Sequence, residues 1–228
     1  MSGPPVHLSI IVPVLNEAAG IGATLQALAP LRASGHEVIV VDGGSDDATA
    51  QLAHAGADRV LAAPRGRARQ MNAGAAAANG GVLLFLHADT VLPTDAVSAI
   101  QRALAAGALW GRFDVRISGG AMAFPAIAAL MNLRSRLSGI ATGDQAIFIE
   151  RSWFMQLGGY ADQPLMEDIE LSRRLRSVLP PACLHERVLT SGRRWQQRGV
   201  WRTVWLMWRL RWRYWRGAAP EALAQAYR

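Results

Sequence analysis

Apolar runs that stop at acidic turns dominate the first ninety residues. Residues 8–14 (LSIIVPV), 38–41 (VIVV) and 82–86 (VLLFL) are apolar with almost no polar alternation. Runs of this length and kind predict central strands of a parallel sheet, buried on both faces. A helix is predicted after Glu17 through about residue 31, and a second through about residue 55, capped by Ser45 or Asp46. Residues 59–62 read as a short strand. Residues 65–79 read as a Gly/Arg loop leading into an Ala-rich helix, and 94–106 as a helix with Thr94 as its cap. Strands alternating with helices imply βαβ units, hence an α/β fold with a mainly parallel central sheet and flanking helices.

The rhythm changes after residue 108. Residues 109–117 read as a longer strand, and Gly119-Gly120 as a break. The apolar stretch 121–137 contains Pro125 and falls short of the ~20 residues a membrane span needs. A strand at 146–149, a helix at 151–157, a turn at Gly158-Gly159 and a helix at 166–179 follow. With no internal repeat or low-complexity linker, the pattern predicts one domain over residues 1–192 and a helical tail over 193–228.

That tail is unusual. Trp201, Trp205, Trp208, Trp212 and Trp215 recur at spacings of four and three, which puts them on one helical face. Arg198, Arg202, Arg209, Arg213 and Arg216 follow about one position later. Indole rings bordered by cations suit a helix lying on an anionic membrane surface. The same face would also serve to pack against the body of the protein, and the sequence leaves both open. Stacking on nucleic acid is disfavoured, because no DNA- or RNA-binding motif appears elsewhere.

Charge sharpens this division. Residues 1–186 carry 14 Arg against 16 acids, whereas residues 187–228 carry 10 Arg against Glu221 alone. The net charge of +7 therefore belongs to the tail. Apolar content of 51% excludes disorder. The lone Cys183 excludes an intramolecular disulfide. No basic, apolar and cleavable leader is read at the N-terminus, and a cytoplasmic location, peripheral on the inner face of the cell membrane, is expected.

In open α/β sheets ligands sit beyond the carboxyl ends of the strands. Two acidic turns meet there, Asp42-Gly-Gly-Ser-Asp46 and His87-Ala-Asp89-Thr90, and they suggest a site for a metal and a phosphorylated ligand.

In order, Ile10-Ile-Val-Pro-Val-Leu-Asn-Glu17, Val40-Val-Asp-Gly-Gly-Ser-Asp46, Arg69-Gln-Met-Asn-Ala-Gly74, Phe85-Leu-His-Ala-Asp89 and Met166-Glu-Asp-Ile-Glu-Leu-Ser-Arg-Arg-Leu175 resemble the family-2 glycosyltransferases of the GT-A fold. The resemblance covers roughly residues 7–180. Residues 65–72 with Leu86-His-Ala-Asp-Thr90 resemble a short bacterial branch labelled by its association with radical-SAM and selenium-domain proteins. The resemblance implies transfer of a sugar from a nucleoside-diphosphate donor, with inversion, to an acceptor it does not name. It places Pro13, Asn16, Glu17, Asp42, Gly44, Arg69, Asn72, His87 and Asp89 around the donor, and Asp89 on Mg2+ or Mn2+. Asp42 would accept a hydrogen bond from the base, which favours uridine; alternatively it only caps the next helix. Asp168, beside Glu167, would be the base. Asp144 and Gln145 are weaker acceptor-side candidates, and His185 a weaker metal ligand.

The chain departs from the family pattern at His87, where an Asp is usual. Either His87 takes part in the site or it merely ends a strand. Two rivals stay open. A nucleotidyltransferase would carry a Gly-rich loop after strand one, where this chain has Leu15-Asn-Glu17. A non-catalytic membrane scaffold has the loss of that first Asp in its favour.

Overall fold

The computed structural model describes residues 6–227, the side chain of Arg194 excepted. Strand β1 (Leu8–Val14) leads to α1 (Ile21–Ala33), β2 (Glu37–Asp42), α2 (Thr49–Ala53) and β3 (Arg59–Ala62). Next come α3 (Arg67–Ala77), β4 (Val82–Phe85), β5 (Thr90–Val91) and α4 (Ala96–Ala105). The second half runs β6 (Trp110–Ser118), α5 (Phe124–Ser138), β7 (Ile147–Glu150), α6 (Arg151–Gln156), α7 (Glu167–Val178) and β8 (Ala182–Ser191). Helices α8 (Arg193–Arg198), α9 (Val200–Trp215) and α10 (Pro220–Tyr227) form the tail.

These strands make an eight-stranded sheet in the order β3-β2-β1-β4-β7-β6-β8-β5. The half built from β1 to β4 is parallel, as its continuous apolar runs predict. Beyond β4 the sheet is mixed: β7 pairs antiparallel with both β4 and β6, β6 runs parallel to β8, and β5 runs antiparallel to β8. The sheet is therefore less parallel than the sequence suggests, because β7 enters between β4 and β6 from the opposite direction.

Side-chain alternation divides the strands between two cores. Ile10, Val12, Val38, Val40 and Leu84 face one side with Leu25 and Leu28 of α1 and Ile100 of α4. Ile11, Ile39, Val41, Leu83 and Phe85 face the other, with Met71 of α3 and Leu171 of α7. Full burial of each such aliphatic side chain contributes about 1.5–3 kcal/mol. Helix α3 lies close on β1 and β2 because Gly74 has no side chain: a Cβ there would come within 2.5 Å of Ile11 Cγ2.

Helix α5 accounts for the apolar stretch 121–137. Pro125 falls in its first turn, where a missing N–H is harmless. Among the described residues no helix is long and apolar enough to cross a membrane. The helix is fastened to β6 by buried Arg112, which pairs with Asp114 and donates through Nε to Ser135 Oγ at 3.0 Å. Asp114 also accepts from Arg136 Nη2 at 2.8 Å.

The tail packs on the body. Leu210 of α9 joins Leu165, Met166 and Leu223 in a small third core. The tryptophan face is left largely uncovered: Trp201, Trp205, Trp208, Trp212 and Trp215 are 55–80% exposed, and Trp208, Trp212 and Trp215 edge the cavity. Packing of that face on the domain, one of the two sequence readings, is not what the structure has.

Candidate active site

The carboxyl ends of β1 and β4, the turn at Gly143–Gln145, the start of α7, and helices α5 and α9 surround a cavity of about 1290 Å3. A cavity for one drug-sized ligand is ~300–1,000 Å3, so this one has room for two substrates.

One end of the cavity is polar. It is lined by Pro13 and Glu17 at the end of β1, by Arg65 and Arg67 around the start of α3, and by His87 and Asp89 after β4. Gln70, deeply buried, lines it too, its Nε2 donating to the carbonyls of Val14 and Val41 at 2.8 Å each. Gln70 thus ties together the last residues of β1 and β2. Glu17 is held by Arg193 of α8, with Nη2 to Oε2 at 3.6 Å.

His87 faces Asp144, Nδ1 to Oδ1 at 3.3 Å. Its ring lies against the bare α-carbon of Gly143, where a Cβ would overlap it. His87 thus lines the cavity beside Asp144. Asp168, in the first turn of α7, accepts at Oδ2 from the Gly143 N–H at 2.9 Å and at Oδ1 from the Ile169 N–H at 2.7 Å. Beside it, burial and then the Asp168 charge raise the Glu167 carboxyl above its ordinary pKa. Asp89, His87, Asp144, Glu167 and Asp168 therefore reach one cavity from separate stretches of chain.

Among the described residues no group of three or more His, Cys, Asp or Glu could by itself hold a metal ion. The donor set that lines the cavity is the Asp89 carboxylate with the His87 imidazole nearby. One carboxylate fits a hard divalent cation whose remaining positions are filled by phosphate oxygens and water.

Several expected site residues do other work. Arg69 lies outside the cavity and pairs with Asp162, Nε to Oδ1 at 2.7 Å, so Arg65 and Arg67 are the arginines of this loop that reach the site. Asn72 clamps the backbone of Tyr160, donating at 2.8 Å and accepting at 2.9 Å. Asn16, in the left-handed region at φ 54°, accepts from the Asp46 N–H at 2.9 Å and so joins the β1 and β2 turns. Gln145 is buried and turns its Oε1 back on the Thr142 N–H at 3.2 Å. His185 is exposed beside Arg136 Nη2 at 3.1 Å. It sits five residues before Thr190 of the cavity wall, roughly 16 Å back along the strand, too far to share a metal with Asp89.

Asp42 accepts from the Gly44 and Ser45 N–H groups at 3.1 and 3.0 Å and from the Ser45 hydroxyl, holding its own turn with Gly44 at φ +84°. The next helix is organised by neither Ser45 nor Asp46. Asp47 does so, accepting from the Thr49 N–H at 3.0 Å. Helix α4 likewise begins without a side-chain cap from Thr94.

Residues 9–155 match the sequence profile described as Glycosyl transferase family 2. The chain belongs to that family. It is 28% identical over 234 residues to the probable glycosyltransferase YdaM of Bacillus subtilis (strain 168), an alignment covering 90% of this chain and 54% of that protein. The chain thus spans about half the length of that relative. The fold is GT-A-like. A mannosyltransferase, PcManGT from Pyrobaculum calidifontis, solved with GDP-Man and Mn2+, superposes with a TM-score of 0.66 at 18% identity, covering 98% of this chain and 69% of that one. TarS residues 1–349 from S. aureus, solved with UDP-GlcNAc, superposes with a TM-score of 0.66 at 16% identity, covering 81% and 58%.

Two cavity residues carried no flag in the sequence. Arg134 of α5 and Arg211 of α9 both line the cavity. Their signal is positional: Arg134 interrupts the apolar stretch of α5, and Arg211 lies at the edge of the tryptophan face of α9, between Trp208 and Trp215.

Proposed function

We propose that this protein transfers a sugar from a nucleoside diphosphate to an acceptor hydroxyl, with inversion, at a membrane surface. What carries the reading is the cavity that Asp89 and His87, after β4, line together with Asp144 and Asp168, His87 facing Asp144. The ligands bound in the superposed structures, GDP-Man with Mn2+ and UDP-GlcNAc, support a nucleotide-sugar donor.

The donor lies at the polar end. Arg65 and Arg67 offer guanidinium groups to the diphosphate, a geometry suited to phosphate oxygens. Uridine is the first base to test, on the strength of the UDP-GlcNAc bound by the superposed TarS. Asp42, which the family resemblance sets against the base, is buried, spends acceptor positions on its own turn and does not itself line the cavity. Asp89, with His87 nearby, would hold Mg2+ or Mn2+ against the phosphate oxygens, and the chemistry such an ion supplies is neutralisation of the leaving diphosphate.

Asp168 is the base. Its Oδ2 is fixed by the Gly143 N–H, so the carboxylate is oriented before substrate arrives. The acceptor oxygen attacks the anomeric carbon and its proton passes to Asp168. The bond from that carbon to the diphosphate oxygen breaks, and the electron pair leaves with the diphosphate. Attack opposite the leaving group inverts the configuration.

The tail supports the membrane location. Its exposed tryptophans are interleaved with arginines, with Arg209 over the Trp205 ring at 5.1 Å and Arg216 over Trp212 at 4.8 Å. Amphipathic rings at headgroup depth with cations toward anionic lipid fit an interfacial helix.

The test is nucleotide release from UDP-sugars with Mn2+ and a membrane extract as acceptor source. Release that Asp168→Asn abolishes supports the reading; release that survives it refutes Asp168 as base. No release from UDP- or GDP-sugars would sink the transfer reaction.

A further inference from the structure

Part of the cavity is walled by apolar side chains, yet among them stand two arginines with buried guanidinium nitrogens that have no hydrogen-bond partner among the described residues. On α5, Leu130, Arg134 and Leu137 recur at helical spacing and line the cavity. On α9, Trp208, Arg211 and Trp215 do the same from the facing wall. Each helix thus sets one arginine within an apolar stripe, and the stripes run out to solvent at strongly exposed Leu137 and Trp215.

The arginines are close enough to repel each other. Burial first, and then the Arg211 charge, push the Arg134 guanidinium down to about 9. Burial lowers Arg211 as well. Nε and Nη2 of Arg134 and Nε of Arg211 are sealed from solvent and make no hydrogen bond among the described residues. A guanidinium does not readily give up its proton, and leaving charged donors buried and unpaired is costly. The Asp168 and Asp144 carboxylates oppose both shifts through space, which puts the arginine pair beside the reacting centre.

We infer that this pair receives an anionic group of the acceptor, a phosphate monoester on a lipid, whose chain lies between the α5 and α9 stripes. The inference rests on the proposed transfer reaction and supplies its acceptor class: an amphiphile with its anionic group next to the hydroxyl that Asp168 deprotonates. Two arginines suit the oxygens of one phosphate, and the leucine and tryptophan stripes suit a hydrocarbon chain.

The test is binding of n-decyl phosphate, n-decanol and inorganic phosphate, each as monomers in solution, followed by tryptophan fluorescence of the full chain. UDP with Mn2+ is titrated in parallel. Decyl phosphate should bind saturably and at least about tenfold more tightly than either decanol or phosphate, about 1.4 kcal/mol. Arg134→Met and Arg211→Met should each remove that advantage while leaving decanol and UDP binding unchanged. Equal binding of decanol and decyl phosphate would overturn the inference, as would decyl phosphate binding unaffected by either substitution. Loss of UDP binding in the arginine variants would assign the pair to the donor and overturn it too. If the unsubstituted protein binds decyl phosphate but no nucleotide, the transfer reading fails and the lipid site stands.

Discussion

The backbone N–H of Gly143 donates to Oδ2 of Asp168 at 2.9 Å, while the same glycine's bare α-carbon receives the His87 ring. One residue thereby sets the position of a carboxylate from α7 and an imidazole from the end of β4. Gly143→Ala forces the two apart. Overpacking of this kind costs about 1–3 kcal/mol of stability, and we expect activity to fall at least about tenfold as His87 is displaced. Asp168→Asn keeps an acceptor for the Gly143 N–H but removes the base; kcat should fall by about 10^2–10^4, with UDP affinity unchanged. Steady-state kinetics with parallel nucleotide titrations check both.

Arg134 and Arg211 should weaken the ligand-free protein. Leaving a buried donor of a charged group unsatisfied costs about 1–3 kcal/mol or more, and an apolar side chain of similar volume removes that cost. Arg134→Met and Arg211→Met are therefore expected to raise the melting temperature, by about 2–4 °C per kcal/mol in a chain of this size. A lowered melting temperature in both would mean that these arginines are satisfied within the fold.

Glu167 gives a pH dependence with a definite sign. Its folded-state carboxyl titrates above the ordinary 4.5, so over that window the fold holds a proton that the unfolded chain has released. The resulting stabilisation is complete below 4.5 and is lost as pH rises through the elevated value. Glu167→Gln does not undergo this loss. Its melting temperature relative to the unsubstituted protein should increase as pH rises from about 4.5 to about 8. A flat difference across that range would contradict the assignment.

Trp201 and Trp205 are exposed and do not line the cavity, so they separate membrane binding from catalysis. The Trp201→Ser/Trp205→Ser double variant should lose most of its co-sedimentation with anionic phosphatidylglycerol vesicles while keeping its melting temperature and UDP binding. Unchanged sedimentation would remove the tail from the membrane account.

Much of this arrangement is legible in the sequence, and what is not has identifiable causes. Strands β1, β2 and β4 announce themselves because burial on both faces demands unbroken apolar runs. Strand β8 does not, since its burial is patchy and Arg187 and Glu186 interrupt it, and β5 is two residues long. Asp89, Asp144 and Asp168 reach the cavity as expected. Asn16, Asn72 and Gln145 instead fix backbone, because an amide beside a site serves either purpose and sequence does not separate them. Arg69 is drawn off by Asp162, 93 residues away in sequence, a pairing only the tertiary fold creates. Arg211 is hard to single out in the sequence because it lies among the arginines that border the tryptophan face, between Trp208 and Trp215.

The most direct test of the central claim is a melting-temperature panel with UDP, GDP, CDP and dTDP, with and without Mn2+ or Mg2+, on the unsubstituted protein and on Asp89→Ala. A nucleotide at 100 times its dissociation constant adds about 2.7 kcal/mol, or about 5–10 °C here. The account predicts stabilisation by one diphosphate, UDP first, that requires metal and disappears in Asp89→Ala. No stabilisation by any nucleotide, or stabilisation indifferent to both metal and Asp89, would contradict it.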